Sequence, residues 1–146
     1  MKLLNKLAAV AIVTTALFTA CTEPAPTSYT VTGILPDSSL NGQEVILREN
    51  YTRAIIATDT VEGNKFVFEG VADTARYCYA QVKNTRTFAD LILENGNITL
   101  DFNAERVLPT GTGLNDILRD IYAVCDTIEK ENMEAVSAEW FAKHGN

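Results

Sequence analysis

Phe88-Ala89-Asp90-Leu91-Ile92-Leu93-Glu94-Asn95-Gly96-Asn97-Ile98-Thr99-Leu100-Asp101-Phe102 is the stretch on which the fold class turns. On either side of Asn95-Gly96 lie short runs, Phe88 to Leu93 and Ile98 to Phe102, with the apolar alternation of half-buried strands. Asn-Gly is the strongest short-range hairpin signal, because both central residues of a two-residue turn of this kind take positive φ. The spacing therefore predicts two strands joined by a tight turn.

The same pattern extends toward the N-terminus. Tyr29, Val31 and Gly33 alternate with Thr30, Thr32 and Ile34; Val45 and Leu47 sit in Gln43 to Glu49; Ala54 to Val61 is rich in β-branched residues. Glu62-Gly63-Asn64-Lys65 reads as a second hairpin turn, leading into Phe66-Val67-Phe68. Ala75 to Lys83 places Tyr77, Tyr79 and Gln81 on one face and Cys78, Ala80 and Val82 on the other. Strands joined by tight turns, with no helical pattern between them, predict a mainly β fold: an antiparallel β-sandwich or open barrel of about 7–8 strands.

The periodicity changes at Thr110-Gly111-Thr112-Gly113. Leu114, Ile117, Leu118, Ile121, Cys125, Ile128, Val136 and Trp140 then recur at helical spacing, which predicts a long C-terminal α-helix with Thr112 as its N-cap. A helix from Leu114 to Lys143 is about 45 Å long, against about 20–24 Å for the strands, so the sandwich does not cover all of it. Met133, Val136, Trp140 and Phe141 carry the apolar stripe almost to the end, and leaving such side chains in water is unusual. They are the expected contact for a second copy of the chain, another protein or a further domain. The alternative is a helix that breaks near Asn132 and folds back on itself.

The first 21 residues decide where the protein works. Lys2 and Lys6, the apolar run Leu7 to Ala20, and Phe18-Thr19-Ala20 followed at once by Cys21 read as a lipoprotein signal peptide, too short for a membrane span. Cys21 is the expected lipidation site. The organisation expected is signal 1–20, a Pro, Thr and Ser-rich tether 21–28, a β domain 29–109 and a helix 110–146. The whole chain carries 12 basic and 19 acidic residues, and removing Lys2 and Lys6 with the signal leaves a net charge near −9. That charge excludes a nucleic-acid footprint, and it leaves the lipid on Cys21 as the contact with the membrane.

No constellation announces catalysis. Cys78 and Cys125 are the two remaining thiols, both on expected core faces, and an oxidising compartment permits a disulfide between them or leaves each as a small apolar residue. They form no Cys-x-x-Cys motif. His144, the only histidine, lies in the last few residues and reads as solvated. Thr110-Gly111-Thr112-Gly113 has Asp116 where a phosphate-binding loop needs its third glycine, so it reads as a loop and cap. Tyr77 and Tyr79 are a candidate binding platform with Tyr51 or Phe88, against cross-strand packing. No catalytic, cofactor-binding or metal-ligating residue is assigned, and no cofactor is expected.

As an ordered set, Tyr29-Thr30-Val31-Thr32-Gly33, the Gln43 to Leu47 strand, Asn64 to Gly70, Leu93 to Ile98 and Thr110 to Asn115 resemble an uncharacterised N-terminal domain family. This is the domain-of-unknown-function family 4369, found before thioredoxin-like and peroxiredoxin-like domains in exported lipoproteins of Bacteroides-type bacteria. The resemblance covers about Tyr29 to Ile128. It implies a helix leading into a redox domain that carries the reactive cysteines; this sequence stops at Asn146, before such a domain, so no catalytic residue carries over. The expectation is a non-catalytic, lipid-anchored cell-envelope module related to thiol-disulfide oxidoreductase lipoproteins, exported to the periplasmic face or the outer surface. Two alternatives stay open: the shortened front part of a thioredoxin-like oxidoreductase, and a periplasmic ligand-binding domain using the Tyr77 and Tyr79 face.

Overall fold

The computed structural model describes residues 24–144. The signal segment and Cys21 lie outside the described residues. Pro24 to Ser28 are exposed and form neither strand nor helix. Eight strands follow: β1 (Tyr29–Ile34), β2 (Glu44–Glu49), β3 (Ile55–Thr60), β4 (Lys65–Gly70), β5 (Arg76–Val82), β6 (Phe88–Leu93), β7 (Gly96–Asp101) and β8 (Pro109–Thr110). A long helix, α1 (Gly113–His144), follows the last strand.

The strands form two four-stranded sheets, ordered β4-β1-β7-β8 and β3-β2-β5-β6. The mainly β sandwich with a long C-terminal helix is thus the observed architecture. Strand pairs are antiparallel with one exception: β1 and β7 run parallel, from Tyr29 opposite Gly96 to Ile34 opposite Asp101. Parallel neighbours need a long crossover, and here the entire second sheet lies within that connection.

Neither sequence-predicted hairpin pairs its flanking strands along their length. β6 and β7 belong to different sheets, so Asn95-Gly96 is a crossing point between the layers. The Asn95 side chain is engaged elsewhere: its Oδ1 accepts from the Ala72 N–H at 2.8 Å and its Nδ2 donates to the Ala72 carbonyl at 3.1 Å. Gly96 already begins β7 at φ 132°, donating its N–H to the Ser28 carbonyl at 2.8 Å. A Cβ there would fall 2.7 Å from the Thr112 methyl, so glycine is needed where the helix start approaches.

The other turn forms as expected but only locally. Gly63 and Asn64 have φ of 56° and 63°, and Glu62 and Lys65 exchange backbone hydrogen bonds of 2.9 and 3.0 Å. Beyond them β3 and β4 part into separate sheets, with Asp59 accepting from the Val67 N–H at 2.7 Å across the gap.

The core fills the space between the layers. Val31, Phe66, Phe68, Ile98 and Leu100 from the first sheet meet Val45, Leu47, Cys78, Ala80, Val82, Leu91 and Leu93 from the second, all 1 % exposed or less. Phe66 lies across Gly33, where a Cβ would sit 2.0 Å from its ring, and contacts Phe68 and Phe102 at centroid separations of 5.3 and 6.0 Å.

Candidate functional site

The helix is where this fold departs from a closed globule. It runs 32 residues without a break at Asn132, a length of about 48 Å. Its attachment is made by polar groups. Asn115, wholly buried, sits on the free edge of β6, where Oδ1 accepts from the Ile92 N–H at 2.8 Å and Nδ2 donates to the Ile92 carbonyl at 2.7 Å. One side-chain amide thus does for the edge strand what a neighbouring strand would do. Nδ2 also donates to the Thr112 hydroxyl at 2.7 Å, so Thr112 holds Asn115 in place, whereas the sequence suggested that its hydroxyl caps the helix backbone. The Leu114 N–H is satisfied instead by the Glu94 carboxylate at 2.9 Å.

Two more turns touch the sandwich. Leu118 and Tyr122 are half-buried. The Tyr122 hydroxyl lies 3.4 Å from that of Tyr77, and the Arg106 guanidinium stacks 4.5 Å above the Tyr122 ring while pairing with Asp126. At about 100° per residue, Asn115, Leu118, Tyr122 and Asp126 form one row along the helix.

The apolar stripe lies on another side of the helix. Ile117, Ile121, Val124 and Ile128 are 52–59 % exposed even though this part of the helix lies beside the sheets. The sequence suggested that the stripe is covered at its start and bare only at its end; the structure corrects this, because the polar anchor at Asn115 rotates the stripe away from the sandwich. Met133, Val136, Trp140 and Phe141, the candidate partner contacts, remain exposed. Trp140 packs edge-on against Phe141 at 5.1 Å and stacks on His144 at 4.9 Å, so these side chains cover one another only in part.

Cys78 and Cys125 are unbonded. β5 turns Cys78 into the space between the sheets, while Cys125 lies exposed on a helix outside them, contrary to the expectation that both face the core. Burial, helped by the Glu49 carboxylate, pushes the Cys78 thiol up to about 11, against the opposing pull of Arg76. Since the thiolate is the reactive species, Ellman's reagent at pH 8 is expected to modify Cys125 in the folded protein and Cys78 only after denaturation; rapid modification of both in the native state contradicts the burial.

Tyr77, Tyr79 and Gln81 share the outer face of the second sheet, as the alternation predicted. Tyr79 and Gln81 join Asn50, Arg53, Phe88 and Asp90 in lining a shallow hollow of about 350 Å³. The Arg53 guanidinium approaches the Tyr79 ring to 5.9 Å and its hydroxyl to 3.5 Å. Tyr77 is tied to Tyr122, and burial followed by that hydrogen bond raises its pKa well above the ordinary tyrosine value. Tyr51, 96 % exposed, stands clear of the hollow. Among the described residues no three His, Cys, Asp or Glu side chains are grouped for a metal ion, and no helix is long and apolar enough to cross a membrane.

Residues 29–118 match the family described as Domain of unknown function (DUF4369). The chain belongs to this family. The match takes in all eight strands and the first turns of α1, so the anchor at Asn115 lies within the family domain and the helix beyond Leu118 lies outside the match. No curated protein and no solved structure matches the chain.

Proposed function

We propose that this DUF4369 chain is a non-catalytic, lipid-anchored module of the cell envelope, in which the sandwich holds a long helix out as a docking surface for protein. The observation that carries the reading is the anchoring of α1 by Asn115, which leaves Ile117, Ile121, Val124 and Ile128 facing outward beside a complete core. A helix needed only to seal the sandwich would turn its isoleucines toward the sheets. The signal-like segment ending at Cys21 and the exposed tether at Pro24 to Ser28 support attachment through lipid. The resemblance of the sequence to a domain that precedes thioredoxin-like domains in exported lipoproteins supports a role in positioning a redox partner, with no redox step on this chain's own thiols.

A second reading, capture of a small ligand on the outer sheet face, draws on the hollow around Arg53, Tyr79, Phe88 and Asp90. Its exposure to solvent favours the helix as the main surface, since small-molecule sites bury most of their ligand.

The anchor is tested by growing expressing cells with tritiated palmitate. The chain is expected to take up label and sediment with membranes, and Cys21→Ser to lose both properties; an unlabelled wild-type chain rejects the anchor. Reduction of insulin disulfides above a Cys78→Ser/Cys125→Ser control rejects the non-catalytic assignment.

A further inference from the structure

The exposed stripe has a spacing that specifies its occupant. Leu114, Ile117, Ile121, Val124 and Ile128 follow one another at intervals of three, four, three and four, the a and d positions of a heptad repeat. After Glu131, Ala135, Ala138 and Ala142 continue the series, so eight of nine consecutive a and d positions are apolar. The helix is unbroken through all of them. Such a seam is shaped for another helix crossing at about 20°, its side chains entering holes between four residues of the neighbour.

We propose that the seam is filled by the same seam of a second copy of this chain, in parallel and in register. This deepens, and rests on, the reading of α1 as a docking surface. Three observations favour a copy over an unlike partner. Positions flanking the seam between Ile117 and Ile128 are Leu118, Asp120, Cys125 and Thr127, so one charge borders this stretch, against Glu134 and Glu139 beside the alanine layers beyond it, and Asp120 is already paired with Arg119 at 3.0 Å. In a chain of net charge −7, a stretch between Ile117 and Ile128 with so little flanking charge lets two copies meet without strong repulsion. The half-exposed side chains of the seam and its flanks, with the alanine layers, offer roughly 600 Å² per copy; two copies then bury ~1,200 Å², the lower end of the range for specific interfaces.

Orientation follows from the layers. In parallel register each of the five large residues meets its own counterpart, and the one like-charge contact, Glu131 against Glu131, falls past the last of these layers, where the exposed side chains turn out to solvent. The antiparallel arrangement that pairs Ile121 with Val124 sets Leu114 against Glu131, exposing an apolar residue to a charge. The sandwich borders the seam on one side only, through Leu118, while Asn115 and Tyr122 lie farther round the helix.

The test uses the full chain in detergent with Cys125→Ser as background. Ile128→Cys, oxidised with copper-phenanthroline, is expected to give a product of doubled mass on a non-reducing gel, and Ala123→Cys, off the seam, to give at least tenfold less. Adding Ile121→Asp to Ile128→Cys is expected to abolish the product while leaving the melting temperature within about 2 °C. Equal cross-linking of Ile128→Cys and Ala123→Cys, or none from either, overturns self-pairing. A wild-type chain that sediments as a monomer also overturns it, while leaving the stripe free for an unlike protein; palmitate labelling reports on the anchor independently of every one of these results.

Discussion

Asn115→Ala is expected to lower the unfolding free energy by about 2–4 kcal/mol, because it leaves two backbone groups of Ile92 without partners in a buried seam and removes a third hydrogen bond to Thr112. Unsatisfied buried groups carry most of that cost; the side chain itself buries little apolar surface. Asn115→Asp separates the contributions. It retains an acceptor for the Ile92 N–H, loses the donor to the Ile92 carbonyl, and places a charge at a site with no solvent exposure, so it is expected to be at least as damaging. Urea denaturation followed by the sandwich's tyrosine signal measures both. A loss under about 1 kcal/mol for Asn115→Ala shows that the helix is not anchored at this point.

The second large effect lies at the contact between β1 and β4. Phe66→Ala is expected to cost about 3–5 kcal/mol, the range for emptying a buried aromatic site. Phe66 is 1 % exposed and reaches both Phe68 and Phe102, so no solvent enters to relieve the void. Gly33→Ala should be destabilising for the opposite reason, since its methyl would meet the Phe66 ring at 2.0 Å. Combined, the two are expected to cost less than the sum of their separate effects, because the methyl added by Gly33→Ala occupies part of the space that the ring vacates. A double-mutant cycle that comes out additive means that Phe66 does not lie over Gly33.

Strand positions were legible in the sequence to a degree that strand partners were not. Phe88–Leu93 and Tyr29–Ile34 were readable residue for residue, because alternation is set by local geometry and each strand has one wet and one dry face. Their partners were hidden. Asn95-Gly96 carries the sequence of a tight hairpin, yet Asn95 uses its amide to bind Ala72, a long-range contact that no local pattern announces. The parallel pairing of β1 with β7 is concealed for the same reason.

The helix shows a related division. Its length and apolar stripe were plain from the spacing of Ile117, Ile121 and Ile128, and that spacing also implied a stripe facing the sandwich in its first turns. Asn115 decided otherwise. An asparagine in a helix's first turn reads as an ordinary end-of-helix residue, and nothing local distinguishes it from one that replaces a missing strand. The one retrospective signal is the exposed edge of β6, which needed covering, and a polar residue close by in the chain that could reach it.

The parallel pairing has a consequence for how the molecule is made. Tyr29 begins the first of these strands to emerge from a ribosome or translocation pore, yet its neighbour Gly96 comes out only after β2 to β6 have all been spelled out. Until then β1 can hold β4 on one flank and must leave the other as a bare ladder of peptide groups. Closure of that sheet is therefore a late, high-contact-order event with a large loop-entropy cost, and folding is expected to be slow for a domain of this size. The nascent chain passes through a stage in which it most needs protection by a holding chaperone.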